Sequence, residues 1–214
     1  VPELVVTPFA NGRFVENCWL VGDAASRDAV LVDPGEEPER FLAAIASGGW
    51  TLRAVWLTHA HIDHVAGVPA VKAAHDVPVL LHPADRPLYD AVPKQAAVWG
   101  FPPIALAPPD GVLAHGDEVA VGAFRFAVRH TPGHSPGSVS FVGHGRVFGG
   151  DVLFRQSIGR SDLPGGDFFT LLQSIHREFL GLPDDTIVHS GHGPDTTVGA
   201  ERAGNPFLTG AVRA

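Results

Sequence analysis

The sequence predicts an α/β protein in which two β-sheets pack together with helices on their outer faces. Three observations carry this. Strand-like runs alternate with helical ones, and the order of several strands followed by a helix occurs once in each half of the chain. No linker divides the halves. A length of 214 residues with 45% hydrophobic side chains suits a single domain over residues 1–214, and no repeat of solenoid period is present.

The elements are expected in this order. LVVT (4–7), NCWLV (17–21) and AVLVD (29–33) are rich in β-branched and aromatic residues and read as strands. The turn DPGEEPE leads into FLAAIASGG, a short helix closed by Gly48 and Gly49. LRAVWLT (52–58) is nearly continuous apolar sequence, as expected of a strand buried on both faces. HVAGVPAVKAAHD reads as a helix and VPVLLH (77–82) as a strand. Residues 92–110, rich in Pro and Ala and carrying Trp99 and Phe101, predict no regular element; they read as a wall or lid over a site, or as a packed surface loop. EVAVGAFRFAVRH (118–130) predicts a hairpin turning near Gly122-Ala123, with strands SVSFVG and RVFGGD after it. FFTLLQSIHREFL (168–180) has the spacing of an amphipathic helix, and TIVHSG (186–191) is the last expected strand.

Composition removes several classes of function. A net charge of −8, spread along the chain, argues against nucleic acid, because phosphate binding needs a basic surface. No apolar run reaches the roughly 20 residues of a membrane span, and the start VPELVVTPFANGRF lacks the pattern of a signal peptide. The single cysteine, Cys18, reads as a core residue and suits a reducing cytoplasm. Twelve histidines are many for this length and point to metal chemistry.

The histidines concentrate in THAHIDHVAG (58–67). On an extended segment His59 and His61 point the same way, while Asp63 and His64 fall where the chain turns into a helix, with the aspartate at the positive end of its dipole. His-x-His-x-Asp-His arises by chance about 0.003 times in a chain of this composition. Further donors stand in Gly- or Pro-rich turns after β runs: His134 in HTPGHSPGS, Asp151 in RVFGGD and His192 in HSGHGP. Five imidazoles and two carboxylates suffice for two metal ions with room for solvent. His82 and His130, each ending a strand, are candidates for supporting those ligands from behind.

In sequence order, THAHIDHVAG, TPGHSPGS, FGGDVLF, GRSDLPGGD and SGHGPDTTVGAERAGNPFL span residues 58–208 and resemble the motifs of metallo-β-lactamase-fold hydrolases. Within that superfamily they are most similar to the short bacterial type of glyoxalase II, or hydroxyacylglutathione hydrolase. The resemblance implies an αββα sandwich of two mixed sheets flanked by helices, with two divalent metal ions at one edge. It implies His59, His61 and His134 on one ion, Asp63, His64 and His192 on the other, and Asp151 bridging. It also implies hydrolysis of a thioester, S-D-lactoylglutathione or a related acyl thioester, by a hydroxide held between the ions, with Asp63 as the catalytic carboxylate. Zinc is the first expectation for the ions, with iron and manganese as alternatives, since His/Asp sites accept all three. The departing thiolate needs no general acid.

Residues 193–214 are too few for the C-terminal helical domain with which the longer glyoxalase II binds glutathione, so no such domain is expected. Arg155 and Arg160, soon after Asp151, are the nearest cations for substrate carboxylates; Arg160 can equally pair with Asp162 as a brace. Trp99 and Phe101 are candidates for lining the substrate pocket. The alternatives in view are a mononuclear-iron persulfide dioxygenase, which shares much of the histidine pattern but holds one iron with two His and an Asp, and a hydrolase of another ester or lactam. The sequence leaves the oligomeric state open.

Overall fold

The structure, a computed structural model, describes residues 2–211. The first sheet runs β1 (Leu4–Asn11), β2 (Glu16–Asp23), β3 (Asp28–Val32), β4 (Thr51–Trp56), β5 (Val79–Leu81) and β6 (Gly111–Val112) in spatial order. Its pairs are antiparallel from β1 to β3 and parallel from β3 to β6. Between these strands lie α1 (Pro38–Ser47), α2 (Ile62–Val65), α3 (Val68–Ala74), α4 (Arg86–Asp90) and α5 (Val92–Trp99). The second sheet is built from β7 (Glu118–Val121), β8 (Phe124–His130), β9 (Val139–Gly143), β10 (Arg146–Gly150), β13 (Ile187–Ser190) and β14 (Thr196–Thr197). Only its β10–β13 pair is parallel. The small hairpin β11 (Leu153–Phe154) and β12 (Ser157–Ile158), α6 (Phe168–Glu178) and α7 (Val198–Gly204) complete the chain.

Alternation along the strands makes the layers. On β3, Leu31 faces the helices with Phe41 and Ile45, while Val30 and Val32 face the other sheet. On β4, Val55 takes the helical side, and Ala54 and Trp56 meet Phe126, Phe141 and Phe148 between the sheets. On β10, Val147 turns outward to Leu171, Ile175 and Phe179. Three cores therefore separate four layers, the αββα sandwich. Each large side chain fully buried here contributes about 1.5–3 kcal/mol. Helix α6 shows the required spacing, with Leu171, Ser174, Ile175 and Glu178 buried, and Asp167 capping it by accepting from the Thr170 amide at 2.7 Å.

Several elements differ from expectation. Residues 92–110 do hold a helix, α5. Pro93 sits in its first turn, where a missing N–H is harmless, Val92 and Ala96 are buried one turn apart, and Gly100 at φ +70° closes it. The helix expected over 64–76 is two, separated at Gly67, with Pro69 opening α3. The two-residue strands β6, β11, β12 and β14 and helix α7 were not foreseen. Among the described residues no helix is long and apolar enough to cross a membrane.

Candidate metal centre

All seven expected donors converge at one edge of the sandwich, in loops that follow strand ends. His59 and His61 leave β4 before α2 begins, Asp63 and His64 lie on α2, His134 follows β8, Asp151 follows β10 and His192 follows β13. Two glycines permit the approach. A Cβ on Gly150, at φ +51°, would stand 2.2 Å from Thr58 Oγ1, so only glycine lets the end of β10 close on the His59 loop. A Cβ on Gly191 would collide with Asp151 Oδ1, also at 2.2 Å.

The donors form two groups joined by one carboxylate. In the first, His134 Nε2 lies 2.8 Å from His61 Nδ1 and 3.2 Å from His59 Nε2. In the second, Asp63 Oδ2 lies 3.3 Å from His192 Nε2 and 3.8 Å from His64 Nε2. Asp151 reaches both: Oδ1 is 3.4 Å from His64 Nε2, and Oδ2 is 3.5 Å from both His134 Nε2 and His192 Nε2. Tetrahedral ligands about 2.0–2.1 Å from a zinc ion stand about 3.3 Å apart. The separations of 3.2–3.8 Å therefore fit ligands arranged around an ion, while the 2.8 Å between His61 and His134 is a hydrogen-bond length. His64 Nε2 and Asp151 Oδ1 are also buried without any hydrogen-bond partner, a costly arrangement unless a cation faces them.

The outer face of each imidazole decides its tautomer. His134 Nδ1 donates to the Arg160 carbonyl at 2.7 Å, His192 Nδ1 to the Phe14 carbonyl at 3.0 Å, and His64 Nδ1 to Asp33 Oδ2 at 3.0 Å. Thr58 Oγ1 gives its proton to Asp33 Oδ2 at 2.5 Å, so it accepts from His59 Nδ1 at 3.0 Å. In these four rings the outer nitrogen carries the hydrogen and the inner Nε2 keeps its lone pair. That is the state of a metal ligand.

Electrostatics agree for His59 and His61. Burial, reinforced by the neighbouring His134, pushes His61 down to about 4, and burial among imidazoles holds His59 well below its ordinary value. Both rings are therefore neutral donors at pH 7. Burial works against ionisation of Asp63, yet the imidazoles of His64 and His192 outweigh it and hold the carboxyl below its usual range. Burial also opposes a charge on His64 and His192, but the surrounding carboxylates overcome it and raise both rings, so without a cation among the carboxylates these two rings take up a proton in its place.

Residues behind the donors hold the loops in place. Asp33 takes the Thr58 amide at 2.7 Å as well as the Thr58 hydroxyl and His64. Asp85, fully buried, accepts from the Ala60 amide at 3.0 Å, the Ser135 hydroxyl at 2.8 Å and the Gly137 amide at 2.6 Å, so it ties the His59–His61 loop to the His134 loop. The Asn17 side chain donates to the Ser190 and Gly193 carbonyls and fixes the loop of His192. Sequence reading missed all three. Asp33 had one signal, an Asp-Pro-Gly turn directly after an apolar strand; its left-handed φ of +51° is visible only in the fold. His82 and His130 do not play the supporting part expected of them. They stack on each other at 4.2 Å, and His130 Nε2 pairs with the Pro136 carbonyl instead.

A cleft of about 380 Å³ opens over the donors, walled by Phe14, Ile62, Trp99, Phe154, Ile158 and Leu163. Trp99 lines it as expected. Phe101 does not; it is buried beneath Phe14 and the Arg13 guanidinium. Arg160 lines the cleft, but both arms of its fork hold Asp162 at 2.8 Å. Arg155 is a correction: its guanidinium donates to the Asp195 carbonyl and borders a separate depression beside Thr196 and Glu201, away from the donors. Phe14, at the tip of the hairpin that follows Asn11-Gly12, was not foreseen.

An αββα sandwich with a His/Asp cluster at this edge defines a class, and comparison with known proteins agrees. The model of the metallo-β-lactamase superfamily matches residues 11–192, and the chain belongs to that superfamily. It is 39% identical to hydroxyacylglutathione hydrolase GloC of Haemophilus influenzae, an alignment covering 91% of this chain and 93% of that protein. Among solved structures it resembles the BLEG-1 B3 metallo-β-lactamase with a TM-score of 0.88 and 40% identity over 96% of this chain and all of that one. It resembles the di-iron-bound form of TTHA1623 with a TM-score of 0.85 and 46% identity, covering 94% of this chain and all of the other.

Proposed function

We propose that this chain is a binuclear metal-dependent hydrolase of acyl thioesters, S-D-lactoylglutathione or a related one. The observation that carries the reading is the set of four imidazoles held by their outer nitrogens, with the Nε2 atoms of His64, His134 and His192 facing Asp63 or Asp151 and that of His59 facing His134. His59, His61 and His134 would hold one ion, Asp63, His64 and His192 the other, and Asp151 both. A pair of divalent cations supplies Lewis acidity toward a carbonyl oxygen and acidifies water into a nucleophile near neutral pH. Asp33 and Thr58 keep His64 and His59 in the ligating tautomer, and Asp63 stays ionised beside them. The apolar walls of the cleft lower the polarity around these charges and so strengthen them. A thiolate, with a conjugate-acid pKa of about 8.5, departs without a proton donor, and no side chain is assigned that task.

The likeness to GloC supports the thioester, and the di-iron form of TTHA1623 makes iron as reasonable as zinc or manganese. A buried, unpaired Cys18 is in keeping with a cytoplasmic location. The test is thiol release from S-D-lactoylglutathione and from a lactoyl thioester of N-acetylcysteamine by metal-loaded protein, beside oxygen uptake with glutathione persulfide on the same preparation. Hydrolysis with kcat/KM of about 10⁴ M⁻¹ s⁻¹ or more, abolished by a chelator and restored by metal, is expected. One iron per chain with oxygen uptake and no thiol release would select a dioxygenase and refute the proposal.

A further inference from the structure

Large apolar side chains exposed singly need no explanation, but a gathering of them over a reactive centre does. Phe14 and Trp99 are 38% and 45% exposed, line the cleft and meet edge to face at 5.8 Å, although 85 positions separate them in the chain. Their neighbours Val15 and Val98 are more exposed still. Arg13 joins the two segments: Nη1 donates to the Trp99 and Gly100 carbonyls, at the negative end of α5, while the guanidinium lies 4.2 Å from the centre of the Phe101 ring. The pair of aromatics is thus a built wall.

The polar groups around that wall are already occupied. Gln95 accepts from the Ile62 amide and donates to the Leu88 carbonyl, and the Ser157 hydroxyl turns to the Ile158 carbonyl. Arg160, the one Lys or Arg side chain lining the cleft among the described residues, is forked onto Asp162. Arg155 faces away, and Arg13 is committed to carbonyls and Glu36. A substrate portion carrying two carboxylates and two peptide groups would meet a single guanidinium, already forked onto Asp162, and a group that gives up water without a partner loses affinity. An apolar portion would cover Phe14 and Trp99 and gain from burial.

We infer that the cleft selects thioesters whose thiol portion is uncharged and apolar, received between Phe14 and Trp99, over those of glutathione. The inference rests on the thioester reading only for its choice of probes, and its test needs no turnover. Two inert thioethers with the same alkyl group, S-hexyl-N-acetylcysteamine and S-hexylglutathione, are titrated calorimetrically into the metal-loaded chain. The neutral compound binds at least tenfold more tightly, and Trp99→Ala and Phe14→Ala each weaken it at least fivefold with melting temperature unchanged. Equal or tighter binding of the glutathione compound overturns the inference, as does failure of the neutral compound to bind or its indifference to both substitutions. If the binding order holds while no thioester is hydrolysed, the reaction assigned above fails and the selectivity of the cleft stands.

Discussion

Replacing Asp33 by asparagine tests the tautomer argument at its most exposed point. Asp33 Oδ1 accepts from the Thr58 amide at 2.7 Å, and Oδ2 accepts both the Thr58 hydroxyl at 2.5 Å and His64 Nδ1–H at 3.0 Å. Asparagine is the same size but offers one acceptor and one NH₂. If its oxygen keeps the Thr58 amide, its NH₂ meets two donors. His64 escapes that clash by moving its proton to Nε2, inside the cluster, where it destroys the lone pair. Loss of a group that orients a ligand typically costs about 10–100-fold in metal affinity, or about 1.4–2.7 kcal/mol. Competition against a chelator of known affinity measures it. The drop belongs to the ion held by Asp63, His64 and His192, with a smaller effect on the ion held by His59, His61 and His134. Affinity at the His64 set within twofold of the parent would refute the argument.

Asp151→Ala removes the carboxylate that lies within 3.5 Å of His64, His134 and His192, so both metal content and thioester hydrolysis should collapse; unchanged turnover would contradict its bridging role. Asp85→Asn leaves at least one of the Ala60, Ser135 and Gly137 donors buried without an acceptor. It should lower stability by about 1–3 kcal/mol, or roughly 2–12 °C in melting temperature, and a variant melting within a degree of the parent would refute the clamp. Burial and the adjacent His130 push His82 down from its ordinary 6.5 to about 4. Between those values the unfolded chain takes up a proton that the folded chain refuses, so stability rises with pH across this window and is level above it. Urea unfolding of metal-free protein at pH 4.5, 5.5 and 7 should show that slope, reduced in His82→Gln; an equal slope in the variant would exclude His82 as its source.

Much of the centre was legible because the chemistry is dense in sequence. His59, His61, Asp63 and His64 fall within six positions, and each later donor follows a recognisable strand. The layers were legible because alternation on β3 and β4 sends successive side chains to different cores. What escaped depends on partners far away in the chain. Arg155 turns to a carbonyl 40 residues on, and His82 finds His130 rather than a ligand. Asp33 is fixed by Thr58 and His64, contacts that exist only once β3 and β4 are paired. Helix α5 was missed for a local reason: the Pro- and Ala-rich run 92–110 reads as irregular, although Pro93, in a first turn, favours the helix.

The most direct test is the number and place of bound ions. Crystals of the chain saturated with zinc, iron or manganese, measured at the absorption edge of each metal, should show two anomalous peaks per chain. One should lie among His59, His61 and His134, the other among Asp63, His64 and His192, with Asp151 touching both. A single peak at full saturation, or peaks away from these side chains, would contradict the account.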